Sequence, residues 1–224
     1  MFLIVGAGKL AKHLIHYLNL LELPFSSWDR SQYPHLIHKK ISDASHVLLA
    51  ISDGAIESFY RKYLAGLDKK VVHFSGALNV EEVIAAHPLM SFGPDLYELE
   101  TYRRIHFALT GAPDLAAALP GLPNAFALLA PEKKALYHAM CVMGGNFPVI
   151  LWQKMFAEFA KLGIAPEAAN VYLETVLANT LRDPASAFTG PLARKELATI
   201  NKNLESLEGD AFQKIYLSFV EALL

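Results

Sequence analysis

The sequence predicts an α/β protein in two parts: a parallel sheet covered by helices over residues 1–125, then an all-α part over residues 126–224. Three observations lead there. Short β-branched and aromatic runs alternate with helical stretches through the first half, the pattern of a parallel sheet covered on both faces. The first run ends at once in a glycine turn that opens a helix. From about Glu132 onward the β-branched runs disappear, and Pro120, Pro123 and Pro131 mark the change.

In chain order, strands are expected at Phe2–Val5, Phe25–Asp29, His46–Ile51, Val71–Ser75 and Ile105–Leu109, where apolar β-formers cluster. Helices are expected between them at Lys9–Glu22, Ala55–Leu67 and Val80–Ala86. The segment Arg30–Ser42 is too short for a further strand and its crossover, so the usual third strand is missing or vestigial. The second part reads as helices at Glu132–Met143, Pro148–Leu162, Pro166–Leu181 and from Leu192 to the last residue. Ala135–Trp152 is uncharged and long enough to raise a membrane span, but it holds His138, Gly144, Gly145, Asn146 and Pro148. A buried helix pair is the expectation for that stretch, and no membrane partner.

Apolar residues make up 53% of the 224, charged residues 19%, and mean hydropathy is +0.27. This excludes disorder and leaves more apolar surface than a monomer needs to expose. A homodimer through the helical part is expected, because Ala135–Trp152 and Ile215–Leu224 exceed what that part can bury alone. Twenty Lys and Arg against 22 Asp and Glu, with no basic block, argue against a nucleic-acid partner. A single cysteine, Cys141, excludes a disulfide framework and an all-cysteine metal site, and it fits a reducing, cytoplasmic setting. Met1–Gly6 has no basic leader and reads as a strand rather than a signal peptide. The pairs His13/His16 and His35/His38 have metal-like spacing but no third ligand, so they read as solvated faces and no metal is expected.

Gly6-Ala7-Gly8-Lys9-Leu10-Ala11 follows the first strand directly and begins a helix. In that context the glycines carry a dinucleotide fingerprint. Gly6 permits the tight turn, Gly8 lets backbone approach a pyrophosphate, and Ala11 lets helix and strand pack closely. The anion then sits on unpaired N–H groups at the helix N-terminus. Asp29 ends the second strand 21 residues after Gly8, where an acid accepts hydrogen bonds from a ribose, which points to NAD. Arg30, next to it, can pair a 2′-phosphate or stack on adenine, which points to NADP. Both cofactors stay open. Ile51-Ser52-Asp53 ends the next strand at the carboxyl edge of the sheet, where it can line a nicotinamide pocket, cap a helix, or both. The sequence has no Gly-Lys-Ser/Thr after the glycine turn, which excludes a P-loop, and no nucleophile elbow. An S-adenosylmethionine methyltransferase shares the glycine turn and acidic strand end, but a helical second part is unexpected for it.

Five ordered motifs carry a family resemblance: the Gly-Ala-Gly turn; His73-Phe74-Ser75-Gly76-Ala77-Leu78; His87-Pro88-Leu89-Met90-Ser91-Phe92; Tyr137-His138-Ala139 with Asn146-Phe147; and Thr189-Gly190-Pro191-Leu192-Ala193-Arg194. Together they resemble the family with a Rossmann-like domain and a DUF2520 domain, a branch of the 6-phosphogluconate dehydrogenase-like superfamily near pyrroline-5-carboxylate reductase. The resemblance covers nearly the whole chain. It implies an NAD(P)-binding domain, a helical domain that dimerises, and an active-site cleft between them. After Arg194 the family pattern continues Gly-Asp, whereas this chain has Lys195-Glu196. In the catalytically understood relatives a serine-glycine loop is followed by a helical lysine and, one turn later, an asparagine. Ser75-Gly76 resembles the loop and Asn146 the asparagine, which puts Val142 in the lysine's place.

A carbonyl or imine that accepts hydride needs a positioned proton donor. His138 is the first choice, two helical turns before Asn146, although Pro148 and the adjacent glycines suggest a helix break that would make Asn146 an N-cap. His87, in its His-Pro step, could reach the cleft as a proton donor poised near neutral pH. His73 reads as a satisfied core residue. Ser75 and Gly76 face the nicotinamide ring, and Arg194 with Lys195 offers positive charge to an anionic substrate. The expected function is an NAD(P)-dependent oxidoreductase acting on a small, carboxylated substrate in the interdomain cleft. Without the lysine, a non-catalytic dinucleotide-binding or sensing protein is the alternative.

Overall fold

The computed structural model describes Met1–Leu224. A seven-stranded sheet is built from β1 (Phe2–Val5), β2 (Phe25–Trp28), β3 (His46–Leu49), β4 (Lys70–His73), β5 (Ile84–Pro88), β6 (Phe107–Thr110) and β7 (Phe126–Leu128). Their order is β2-β1-β3-β4-β5-β6-β7. Pairing is parallel except between β5 and β6.

Alternation along the strands explains why both faces are covered. Phe2 and Ile4 join Ala11, Leu14 and Leu18 of α1 (Lys9–Leu20) in one core, together with Tyr102 of α4 (Leu99–Arg103) and Leu115 of α5 (Leu115–Ala118). Leu3 and Val5, one residue out of phase, join Ile37 and Ile41 of α2 (Leu36–Asp43) and Ile56 and Tyr60 of α3 (Asp53–Tyr63) in the other. The four β1 side chains are all buried, as a central parallel strand requires. No strand lies between β2 and β3; α2 makes the crossover, and β2 is the sheet edge.

Val80–Ala86 is a correction. It is not a helix: β5 begins at Ile84, pairs with β4 through Val72–Ile84 and His73–Ala85, and with β6 over four residues. Ala85 and Ala86 are buried between those neighbours, so pairing overrides the helix preference of an Ala- and Glu-rich run. The strand β7 was not foreseen either.

The chain divides into two compact units, Met1–Ile150 and Leu151–Leu224. The division falls later than the proline-marked boundary at residue 125, because β7 completes the sheet and the first helical segment contributes buried Lys134. That segment is one continuous helix, Pro131–Lys161. It comprises a 3-10 turn Pro131–Lys133, α6 (Lys134–Cys141), a π turn Val142–Asn146 and α7 (Phe147–Lys161). The expected break and helix pair are thus replaced by a π turn. Pro148 cannot donate to the carbonyl of Gly144, and the wider turn absorbs the missing bond. By length and composition this helix could cross a membrane, and its most apolar stretch is exposed rather than buried.

In the second unit α8 (Pro166–Arg182) is followed by α9 (Pro184–Ala187), α10 (Leu197–Ser206) and α11 (Phe212–Leu223). The expected helix from Leu192 therefore starts five residues late, after the turn at Gly190. Lys154 pairs with both Glu158 and Asp210.

Candidate functional site

Strand order reverses between β1 and β3, with β2 on one side of β1 and β4 beyond β3. The crevice at their carboxyl ends is where open α/β sheets hold ligands. A cavity of about 680 Å³ opens there, lined by Gly6, Ala7, Gly8, Lys9 and Leu10 after β1, by Asp29 and Arg30 after β2, and by Ile51 and Ser52 after β3.

The two glycines differ in what holds them. Gly6 has φ +133, and a Cβ there would meet the Ala50 carbonyl oxygen at 2.2 Å, so the fold itself demands glycine. Gly8, the N-cap of α1, has φ −72, and nothing lies within 4 Å of where its Cβ would be. Neither backbone nor packing requires glycine at that position. Open space over an uncapped helix N-terminus fits a pyrophosphate, and those residues suit a dinucleotide.

Asp29 does not face this space freely. Its carboxylate accepts from the Ser31 N–H (2.8 Å), the Ser31 hydroxyl (2.6 Å) and Gln32 (3.3 Å), and the Ser31 bonds hold its pKa below the ordinary value. Arg30 is exposed beside it.

A second cavity, of about 650 Å³, is lined by His87 of β5, by Leu89, Met90 and Ser91 after it, by Tyr137, His138 and Cys141 of α6, and by Asn146 of the π turn. Ser75 and Gly76, expected at the nicotinamide, line neither cavity; the loop they form follows β4 and packs against His87 and His138 of the second. Ser75 donates its hydroxyl to Asp53 Oδ2 at 2.5 Å and accepts the Leu78 N–H at 3.0 Å, while its carbonyl accepts from Lys134 Nζ at 3.2 Å. A Cβ on Gly76 would meet the His138 ring at 2.4 Å and the His87 ring at 3.1 Å, so glycine here lets both imidazoles close onto the loop. Asp53 reaches this loop rather than lining the first cavity, and Ser52 stands at the N-cap of α3 without a side-chain capping bond.

Lys134 was missed in the sequence. The residue is 1% exposed, at the first turn of α6 and one turn before His138. Val142 stands one turn before Asn146 as expected, but a buried helical lysine is present all the same, beside the serine-glycine loop and one turn before His138. Burial lowers the Lys134 pKa, and the Asp53 carboxylate opposes that shift. Asn146 is also corrected in one respect. It closes the π turn with helical backbone on both sides, so it caps no new helix.

Two histidines were read differently from where they stand. Burial, with His138 and Lys134 adding positive charge, pushes His87 down to about 4, so it is neutral at pH 7 and not poised near neutrality. Its Nδ1 is 2.8 Å from the Tyr137 hydroxyl. His73, fully buried, accepts the Ser75 N–H at Nδ1, but its Nε2 has no partner. Burial, and then Lys134, holds it at about 4 as well. From about pH 6.5 downward the unfolded chain protonates both rings, while the folded chain resists until about 4. Stability should therefore fall as pH drops through that window. Melting temperature measured from pH 7 to 4 should drop less in His87→Gln than in the parent; parallel curves would contradict the assignment.

The substrate-binding expectation at Arg194 and Lys195 falls in the second unit. Arg194 donates to both Glu196 oxygens, at 2.6 and 3.2 Å. Lys195 has φ +56, the left-handed conformation that glycine prefers, at the position where the family pattern carries glycine. His13, expected on a solvated face, is 2% exposed. His35 and His38 are exposed, and no three metal-ligating side chains form a group.

Among solved structures, the chain is similar over its full length to protein TM1727 from Thermotoga maritima, at 23% identity and TM-score 0.67, covering 96% of that chain. It is similar to BF3122 from Bacteroides fragilis at 17% identity and TM-score 0.79, over 99% of this chain and 96% of that one. A 1-pyrroline-5-carboxylate reductase from Streptococcus pyogenes shares the fold at 13% identity and TM-score 0.62, over 99% and 95% of the two chains. No curated protein matches the sequence. The model of a domain of unknown function, DUF2520, matches residues 106–222, more than half of the chain. With a Rossmann-like sheet before it and helices through it, this chain belongs to the DUF2520 family.

Proposed function

We propose that the protein is an NADP-dependent oxidoreductase that reduces a small carbonyl or imine compound. The observation that carries this reading is the cluster of Asp53, Ser75, Gly76, Lys134 and His138 at the carboxyl ends of β3 and β4, with His138 lining the second cavity and the glycine turn lining the first. Nicotinamide, when bound, supplies or takes up hydride. The chain's own residues then have separable tasks. Gly8 and the N-terminus of α1 receive the pyrophosphate, and Asp53 fixes the Ser75 hydroxyl. Lys134 holds a proton beside the loop, and burial favours its release to a heteroatom gaining negative charge. His138, Asn146 and neutral His87 line the substrate's chamber. A carboxylated substrate remains part of the proposal, with Arg194 and Lys195 as the cationic candidates. Lys134 answers the missing-lysine argument on which a purely sensing role rested.

The test is titration with NADPH and NADH by fluorescence, followed by a screen of keto acids and cyclic imines for cofactor oxidation. Binding without turnover across that panel would defeat the enzymatic reading. NADP is favoured because Arg30 is exposed while the Asp29 carboxylate is turned into its own turn by Ser31. Arg30→Ala should weaken NADPH by about tenfold or more and NADH little, as expected for losing a bidentate phosphate contact; equal losses would remove the preference.

A homodimer in the cytoplasm completes the reading. In the second unit only Ala169 and Ile200 are buried, whereas Leu162 is 72% and Leu181 77% exposed. A helical unit with so little core needs a partner surface, and a second copy offers a self-complementary one. Light scattering without detergent should give a dimer at micromolar concentration; a monomer would contradict this.

A further inference from the structure

The segment from Leu89 to Glu98 belongs to neither helix nor strand, yet its first residues, Leu89, Met90 and Ser91, wall the second cavity. Backbone bonds hold its start, Leu89 N–H to the His106 carbonyl at 2.9 Å and Met90 N–H to the Pro88 carbonyl at 2.8 Å; from Ser91 to Tyr97 side chains meet the backbone polar groups instead. The side chains that do so come from outside the cavity. His13, buried on α1, has Nε2 3.1 Å from the Gly93 carbonyl and Nδ1 2.7 Å from the Tyr102 hydroxyl. Tyr102 accepts the Tyr97 N–H at 3.2 Å. The Tyr97 hydroxyl accepts the Gly93 N–H at 3.0 Å and donates to the Ser91 carbonyl at 2.7 Å. The His13 ring also packs against both Phe92 and Tyr97, at 4.8 and 4.7 Å between centroids.

Bonding rules fix the protons of this network. A carbonyl only accepts, so His13 Nε2 carries the hydrogen toward Gly93. In the tautomer with its hydrogen on Nε2, Nδ1 accepts from the Tyr102 hydroxyl, whose lone pair takes the Tyr97 N–H. Every group is satisfied in one direction, and a change at any member leaves a buried partner open.

We propose that His13 is a positioning residue for the substrate chamber: by clamping Ser91–Tyr97 it sets the part of the wall that Ser91 presents to the ligand, next to Leu89 and Met90. The inference rests on the second cavity being the substrate's chamber. It assigns to α1 two tasks, the dinucleotide turn at its N-terminus and the chamber wall one turn further on. His13 touches neither ligand; it acts through the segment it holds.

The test needs no known substrate. Cys141 lines the same cavity and is the chain's single cysteine, so its alkylation by N-ethylmaleimide reports access to the chamber. In the folded full-length protein, His13→Ala should speed amide exchange across residues 91–97 and alkylation of Cys141 by about tenfold each, the scale of one lost buried hydrogen bond. Exchange in β1 and β3, and NADPH affinity, should stay within about twofold. His13→Gln, which keeps an N–H donor, should recover part of the difference. Tyr97→Phe, a milder change within the segment, should reproduce the effect if His13→Ala does not fold. Unchanged exchange and alkylation in a folded variant would overturn the clamp. For any imine the protein reduces, His13→Ala should raise KM with kcat little changed; an equal fall of kcat and kcat/KM would also overturn it. If the exchange effect appears but no carbonyl or imine slows alkylation of Cys141 in the parent protein, the clamp stands and the reading of the chamber falls.

Discussion

Lys134→Met is expected to lower turnover by about 10²–10⁴-fold, the usual cost of removing a positioned acid, while NADPH affinity stays within about twofold. The reasoning starts from desolvation. The ammonium of Lys134, a residue 1% exposed, is held by a single neutral carbonyl, Ser75, with the Asp53 carboxylate as the nearby compensating charge. Such a cation is costly to bury, and an apolar isostere should leave the fold as stable or more so. Stability and activity are thus expected to move in different directions, which separates loss of chemistry from loss of structure. The pH profile offers a second check. If the protonated amine is required, the rate falls as pH rises through its pKa, and burial puts that limb below the ordinary 10.5 of lysine. Single-turnover rates with parent and variant would measure both effects. Full activity in Lys134→Met would return the role to His138, for which His138→Ala is then the informative variant.

What could be read without the structure follows a physical line. The strands β1, β3 and β4 were legible because buried parallel strands are continuous apolar runs, and the turn at Gly6 because its backbone conformation needs glycine directly after a strand end. β5 was not, since Ala85 and Ala86 owe their strand to β4 and β6 on either side. Lys134 was hidden by position: a lysine at the start of an apolar helix reads as a solvated first turn. Matching the family's asparagine to Asn146 put Val142 in the lysine's place and left Lys134 unweighed. The usable signal was the one-turn spacing from Lys134 to His138 after a Ser-Gly loop. His13 shows the same limit. An i,i+3 histidine pair says nothing about burial when the partner, Tyr102, lies 89 residues away in the chain.

Gly8→Asp is expected to abolish dinucleotide binding while leaving the fold intact or more stable. The backbone at Gly8, φ −72 and ψ −176, is extended and open to any residue, and nothing lies within 4 Å of its Cβ position. It is also the N-cap of α1, which has no side-chain capping bond and no acidic residue in its first turn. Aspartate is among the preferred N-caps, and its charge complements the helix dipole, so the substitution should add about 0.5–1 kcal/mol of stability. The same carboxylate would occupy the space that a pyrophosphate needs and repel it across a few ångströms. Thermal melts should therefore rise slightly without ligand and lose their NADPH-dependent increase altogether. Gly6→Ala is the contrasting control: its φ of +133 and a Cβ 2.2 Å from the Ala50 carbonyl oxygen predict a destabilised protein whatever the ligand. If Gly8→Asp melted higher and still bound NADPH, the glycine would be serving neither fold nor cofactor, and the dinucleotide assignment would fail at its first residue.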